Sequence, residues 1–389
     1  MNKEKIRVFS DQACAVNLYI LLFFIPISSA LTESFFAFSF LFFLGRLITT
    51  HGLGSQLLKK ERLVLFFFAA LALSLINSGP HIGISLHALF LKWGKYIVLY
   101  LIIGQTLNSS SRIKSALISF SFGLGTIILD CLYQLYFHVD LLCHKHMMSH
   151  AHDVFALTGP FNHNNGLAAY LSCMLIVILF WVFSKENKMI KTIVSIVFFL
   201  GVFVLAHAYS RGGWFAFVWA IILLACFLRK FWFLGFSMLI TSALSLKFIL
   251  FKSLTFQDSG RFELWDVCLK MIKQHPLLGT GIGTFMAQFK EYCATRGISY
   301  AHNCFLQLWA EAGLIGIALF IFFIFITLKG AILSYKVQQN HILLILFCAI
   351  IAYLCSSFFD TSLFSSQLAF LFWALMGLTV ASFDKQAQV

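Results

Sequence analysis

The stretch HNNGLAAYLSCMLIVILFWVF, residues 163–183, contains no charged side chain and no proline. At a helical rise of about 1.5 Å per residue it is long enough to cross a hydrocarbon core of roughly 30 Å. Its apolar residues run continuously and do not alternate with period two. It therefore reads as a membrane-spanning helix and not as a strand of a porin-like barrel. Working outward in both directions, stretches of the same kind lie at about 14–31, 33–49, 63–78, 91–107, 115–137, 192–209, 213–228, 231–250, 305–328, 341–359 and 366–382. Twelve spans in all predict an all-α polytopic membrane protein, a single integral membrane domain over residues 1–389.

Composition agrees. Hydrophobic residues make up 60% of the 389 and charged residues 11%, against roughly 25% charged in a soluble domain. So few polar groups cannot cover a water-facing surface, and disorder needs the opposite composition. Four prolines and 47 phenylalanines fit helices in lipid. Lys3, Lys5 and Arg7 precede the first span and no small-residue cleavage site follows it, so it is expected to be retained. The net charge of +13 has two explanations: basic cytoplasmic loops or a bound anion. With the N-terminus in the cytoplasm, KKER (59–62), SSSRIK (109–114), KENKMIK (185–191) and Arg229-Lys230 fall on the inner side and the C-terminus returns there. The largest piece outside is a loop at about 251–304, between spans 9 and 10. Within it, Phe262, Leu264, Trp265, Val267, Leu269, Met271 and Ile272 have helical spacing and predict an amphipathic helix on the membrane surface.

The unusual residues gather at this outer face: TGPFNHNNGLAAY (158–170), HAYSRGGW (207–214), SGRFELW (259–265), HPLLGTGIGTF (275–285) and AHNCFLQLWAEAGLIG (301–316). Arg211 reads either as an interfacial arginine reaching lipid phosphate or as an anion ligand. Gly212 and Gly213 would allow close backbone approach there, and the next helix N-terminus favours negative charge. Arg261 is either a solvated loop charge or a purposeful one, since the helix dipole disfavours a cation in a first turn. His302 is a side chain suited to take a proton near neutral pH, and Asn303 after it can cap the helix or orient the ring. Glu311 lies within a span, where a carboxylate must find a partner; fixing a loop or neighbouring helix is favoured over catalysis. His138, Cys143, His144, His146, His150, His152 and Asp153 match no zinc spacing and read as a flexible polar loop. GTGIG (279–283) lacks the Lys-Ser/Thr ending of a phosphate loop and reads as a turn after Pro276. Cys268 and Cys293 share the outer loop; unpaired thiols are expected over a disulfide.

Taken together, SRGGW, GRFELWDVCLKMIKQHPLLGTGIGTF and AHNCFLQLWAEAGLIG resemble the O-antigen ligase / O-antigen polymerase superfamily, clearly from about 158 to 330. The resemblance implies transfer of a glycan from an undecaprenyl diphosphate carrier to an acceptor at the periplasmic face of the bacterial inner membrane. It implies His302 as the essential histidine, Arg211 and Arg261 as diphosphate ligands, and less directly Lys92 and Lys95 near the same site. It implies no cofactor, metal or nucleotide, and no nucleic-acid partner. The residues fit that chemistry on their own terms. A glycosyl diphosphate already carries a good leaving group, so one imidazole to deprotonate the acceptor hydroxyl and two guanidiniums to neutralise pyrophosphate suffice. The leading expectation is a ligase joining O-antigen to lipid A–core with inversion. A polymerase shares the same donor chemistry, a protein O-oligosaccharyltransferase is a further relative, and a transporter would want ionisable groups at mid-membrane, where Asp130 is the main candidate.

Overall fold

The computed structural model describes residues 3–50, 52–54, 57, 61–150, 154–229, 260–293, 297 and 299–383. Among these, nine helices are long and apolar enough to cross a membrane. Two shorter apolar helices, Arg62–Asn77 and His341–Ser357, occupy two more of the predicted spans. The predicted span at 231–250 lies outside the described residues, as do 251–259 of the predicted loop and His152 and Asp153.

The helices are α1 (Lys3–Phe24), α2 (Ser29–Thr49), α3 (Arg62–Ser74), α4 (Ile82–His87), α5 (Lys95–Thr106), α6 (Ser110–Phe137), α7 (Asn164–Phe183), α8 (Lys188–His207), α9 (Arg211–Leu228), α10 (Arg261–Gln274), α11 (Phe285–Tyr292), α12 (Cys304–Gln338), α13 (His341–Ser357) and α14 (Ser366–Phe383). A π-helical turn, Ala88–Gly94, joins α4 to α5. Short polar side chains start the helices by accepting orphan N–H groups: Asn187 from Ile190 at 2.8 Å, Asn303 from Phe305 and Leu306 at 3.0 Å, Asn340 from Ile342 at 3.1 Å. The turn between α12 and α13 is made by Gln339 in the left-handed region followed by the cap Asn340.

Two helices form the centre. Of its most apolar window, α14 has 83% of residues buried and α7 78%, whereas α2 has 17% and α8 28%. All are apolar around their full circumference, so composition alone cannot rank them. In lipid, association depends on close packing rather than on expelling water from apolar faces. Helix α14 packs against α5, where Gly377 sits beside Ile103 and Tyr100, and against α13, which also contacts α7 and α9. Helices α2 and α8 keep outward faces of Phe38, Leu41, Ile193 and Ile196 for lipid.

One end of the bundle carries a cluster of ion pairs. Asp11 of α1 is shared by Arg46 at 2.8 Å and by Arg112, and Lys114 meets Glu186 at 2.7 Å. Helix α1 begins at Lys3, well before the apolar stretch predicted to begin at 14, and Asp11 in this added part has partners on α2 and α6.

The segment after α6 departs from the flexible loop expected there. Asp140 accepts from the Cys143 N–H at 2.6 Å and from the Lys145 N–H, and a short antiparallel pair, β1 (Met148–His150) with β2 (Val154–Ala156), follows. Asp130 of α6 accepts from the N–H groups of Leu141 at 2.9 Å and Leu142 at 3.1 Å. One turn later Gln134 accepts from the Thr158 and Gly159 N–H groups. Asp130 is thus tied through Oδ1 to the loop that follows its helix.

Helix α10 also departs from expectation. Leu264, Val267, Cys268, Met271 and Ile272 are buried, packed with Phe285, Phe289, Ala301 and Ala310 in a separate core at the head of α12. The apolar stripe meets protein rather than a membrane surface, leaving Phe262 and Leu269 exposed. Cys268 is a free thiol inside this core, where burial pushes its pKa up to about 12.

Candidate functional site

The site is assembled at the end of the bundle opposite the Asp11 ion pairs. Its frame is a kink in α12. Gly313 has φ 67° and ψ −176°, which interrupts the helical hydrogen bonds around it. The loop 276–281 takes up the freed groups. Thr280 N–H donates to Ala310 O at 2.9 Å and Gly281 N–H to Glu311 O at 3.0 Å. In return, Leu314 N–H donates to Pro276 O at 2.9 Å and Ile315 N–H to Leu277 O at 3.2 Å. A Cβ at position 313 would collide with the Leu277 carbonyl, so this inlay needs glycine for both its φ and its space. The GTGIG run is therefore a turn that repairs a broken helix, and its N–H groups are already used.

Glu311 completes the inlay. Its carboxylate, 1% exposed, accepts from the N–H of Gly283 at 2.8 Å, the N–H of Phe285 at 3.2 Å and the Gln307 side chain at 3.3 Å. Three structural donors hold it, which gives it an anchoring part. Asn303 caps α12 with its side-chain oxygen, so it fixes the helix start rather than the imidazole.

His302, just before that cap, adopts the left-handed region at φ 49°. Its Nδ1 lies 3.3 Å from Asp360 Oδ1. Because a carboxylate only accepts, the Nδ1 position carries the proton in this contact and Nε2 is the ring nitrogen left open. Asp360 is held in turn: its Oδ1 accepts the Thr361 N–H at 2.8 Å, and its backbone oxygen accepts from the Cys304 thiol at 3.3 Å. Sequence reading passed over Asp360. The signal was present in FFD at 358–360, a lone acid closing an apolar span at the same membrane face as His302. What hid it was a separation of 58 residues between the partners.

Arg211 and Arg261 stand at helix starts, as the sequence reading expects: each is the first residue of its helix, α9 and α10. Two positive helix ends therefore add to two guanidiniums. Asp360 and Arg211 both act on Arg261. Burial pulls the Arg261 pKa down, Asp360 opposes this, and the charge of Arg211 adds to the lowering. A narrow cleft lined by Ser210, Gly212, Gly213, Arg261, Phe359 and Asp360 brings these elements together. Ser210 caps α9 by accepting the Gly213 N–H at 3.3 Å. The glycine pair serves packing rather than anion approach. A Cβ on Gly213 would lie 2.5 Å from Ala168 Cβ, and one on Gly212 would lie 2.9 Å from Phe359 Cβ. Small size at these positions is what lets α9 press against α7 and the end of α13.

Neither lysine is among the residues that line the cleft. Lys95 is paired with Glu33 at 2.6 Å and rests 5.2 Å from the Phe370 ring centroid, so its charge is already answered. Lys92 is exposed on the π-helical turn, within electrostatic range of Glu311.

The family model described as O-antigen ligase matches residues 196–321. That segment is similar to the O-antigen ligase family. The match takes in Arg211, Arg261, His302 and Glu311, and the kinked α12 with its inlaid loop; Asp360 and the two lysines lie beyond it. No curated protein matches the chain. The matched segment is set in a bundle of apolar helices, as in a multi-pass membrane protein.

Proposed function

We propose that the chain is an O-antigen ligase: an inverting, metal-independent glycosyltransferase that moves a polysaccharide from undecaprenyl diphosphate to lipid A–core at the periplasmic face of the inner membrane. The observation that carries the reading is the His302–Asp360 pair beside Arg261 and Arg211. Nε2 of His302 takes the proton of the acceptor hydroxyl while that oxygen attacks the anomeric carbon from the face opposite the diphosphate. The C–O bond to the carrier breaks, and the electron pair leaves on the diphosphate. Asp360 steadies the imidazolium that forms, as a carboxylate does behind a histidine base. Arg211 and Arg261 neutralise the leaving group, a contribution commonly worth several kcal/mol where water is excluded. Two guanidiniums against one carboxylate leave a net positive site, matched to an anion that gains charge as the bond breaks.

The test is a lipopolysaccharide gel from a strain lacking the gene and complemented with variants. A ligase leaves lipid A–core bare while polymer accumulates on the carrier, and His302→Ala fails to restore the ladder. A core carrying a single repeat would make the enzyme a polymerase. An unchanged gel would refute both.

A further inference from the structure

A second polar cavity lies at the far end of the same helices. Helix α9 is 18 residues long, so its C-terminus stands about 27 Å from Arg211 along the axis, close to the thickness of a hydrocarbon core. There a cavity of about 840 Å³ opens between the ends of α7 and α9, the start of α8, and the junction of α12 with α13. Lys191, Arg229 and Lys336 line it, with Phe227, Tyr335 and His341 as aromatic walls. Among the described residues none of these three cations is in an ion pair, whereas Lys114 and Arg112 at this end are both answered by carboxylates. Arg229 caps α9 in the left-handed region at φ 52°. Phe227 and Tyr335 meet edge to face at 6.4 Å, and Tyr335 lies 6.4 Å from His341.

We propose that this cavity binds the headgroup of an anionic phospholipid. Basic loops explain cations scattered over one face of a membrane protein. They do not explain three cations from three separate elements converging on one concavity. The two cations of the catalytic cleft lie a full helix length away, so this site is independent of transfer. A lipid fits better than a free anion because the rim is apolar. Met189 and Ile193 flank Lys191 on α8, and Leu333 and Val337 flank Lys336 on α12; all four are exposed, as an acyl chain requires. Basic pockets between helix ends are a recognised form of anionic-lipid site.

The experiment is native mass spectrometry of the full-length detergent-solubilised protein, titrated with phosphatidylglycerol and with phosphatidylcholine. The wild type retains phosphatidylglycerol saturably and in preference to phosphatidylcholine. Each of Lys191→Gln, Arg229→Gln and Lys336→Gln weakens that retention by about fivefold. Lys185→Gln and Lys188→Gln, equally basic neighbours outside the cavity, leave it unchanged. Equal retention of the two lipids by the wild type overturns the proposal whatever the variants do. So does an equal loss in the two control variants, which marks a diffuse surface charge. Displacement of the bound lipid by inorganic phosphate would make the cavity a free-anion site and likewise overturn the lipid assignment.

Discussion

His302 holds a left-handed backbone conformation that costs a non-glycine residue roughly 1–2 kcal/mol. The Asn303 cap and the Asp360 contact on either side of it hold the ring where Nε2 is left open. A base so placed gives a definite expectation. His302→Ala should lower the rate of glycan transfer by about 10²- to 10⁴-fold. Asp360→Asn should lower kcat while leaving donor affinity intact, because it removes the imidazolium's support and not a phosphate ligand. Single-turnover assays with purified protein separate the two parameters. A variant that binds donor poorly but turns over normally would move Asp360 into the diphosphate site. For Arg211 and Arg261, replacement by lysine should still cost about 10²-fold, since a point charge does not reproduce a planar fork on two phosphate oxygens. Full activity in either lysine variant would reduce that arginine to a surface charge.

The kinked helix α12 and the loop laid into it form one unit. Glu311→Ala leaves the N–H groups of Gly283 and Phe285 without their acceptor. It should destabilise the protein by roughly 3 kcal/mol, and Glu311→Gln by less, because one amide oxygen still accepts. Thermal unfolding in detergent reads the difference. Gly313→Ala drives a methyl group into the Leu277 carbonyl and should lower the midpoint further than Glu311→Gln does. Equal stability of wild type and Gly313→Ala would mean that the kink is not fixed by this contact. Much of this element is written in the chain: the glycines, Pro276 and a carboxylate inside an apolar span all mark a break. Which loop fills the break is not, since Thr280 and Ala310 are 30 residues apart and meet only with α11 folded between them.

At the scale of the whole molecule, the helices carry their sites at two ends, and the basic residues divide between them. Phe262 is exposed on the helix that carries Arg261, and Lys188 lies at the opposite end of the bundle. In a background with Cys143 and Cys226 replaced, Phe262→Cys should react with an impermeant maleimide from the periplasm and Lys188→Cys only after the membrane is opened. The reverse pattern would invert the proposed orientation. The sequence by itself determined that the chain is a bundle of long apolar helices, and roughly where most of the described ones lie. Continuous apolar runs are a local property, and in lipid a backbone can satisfy its hydrogen bonds only within the helix. It also marked His302, Arg211 and Arg261, because polar groups stand out against an apolar background. Only the tertiary structure decided that α14 and α7 form the centre and that the stripe of α10 meets protein. Uniformly apolar helices carry no label for which face meets a neighbour and which meets lipid. The pairing of His302 with Asp360, and the gathering of Lys191, Arg229 and Lys336 around one cavity, were settled there too, because both depend on which helix ends pack side by side.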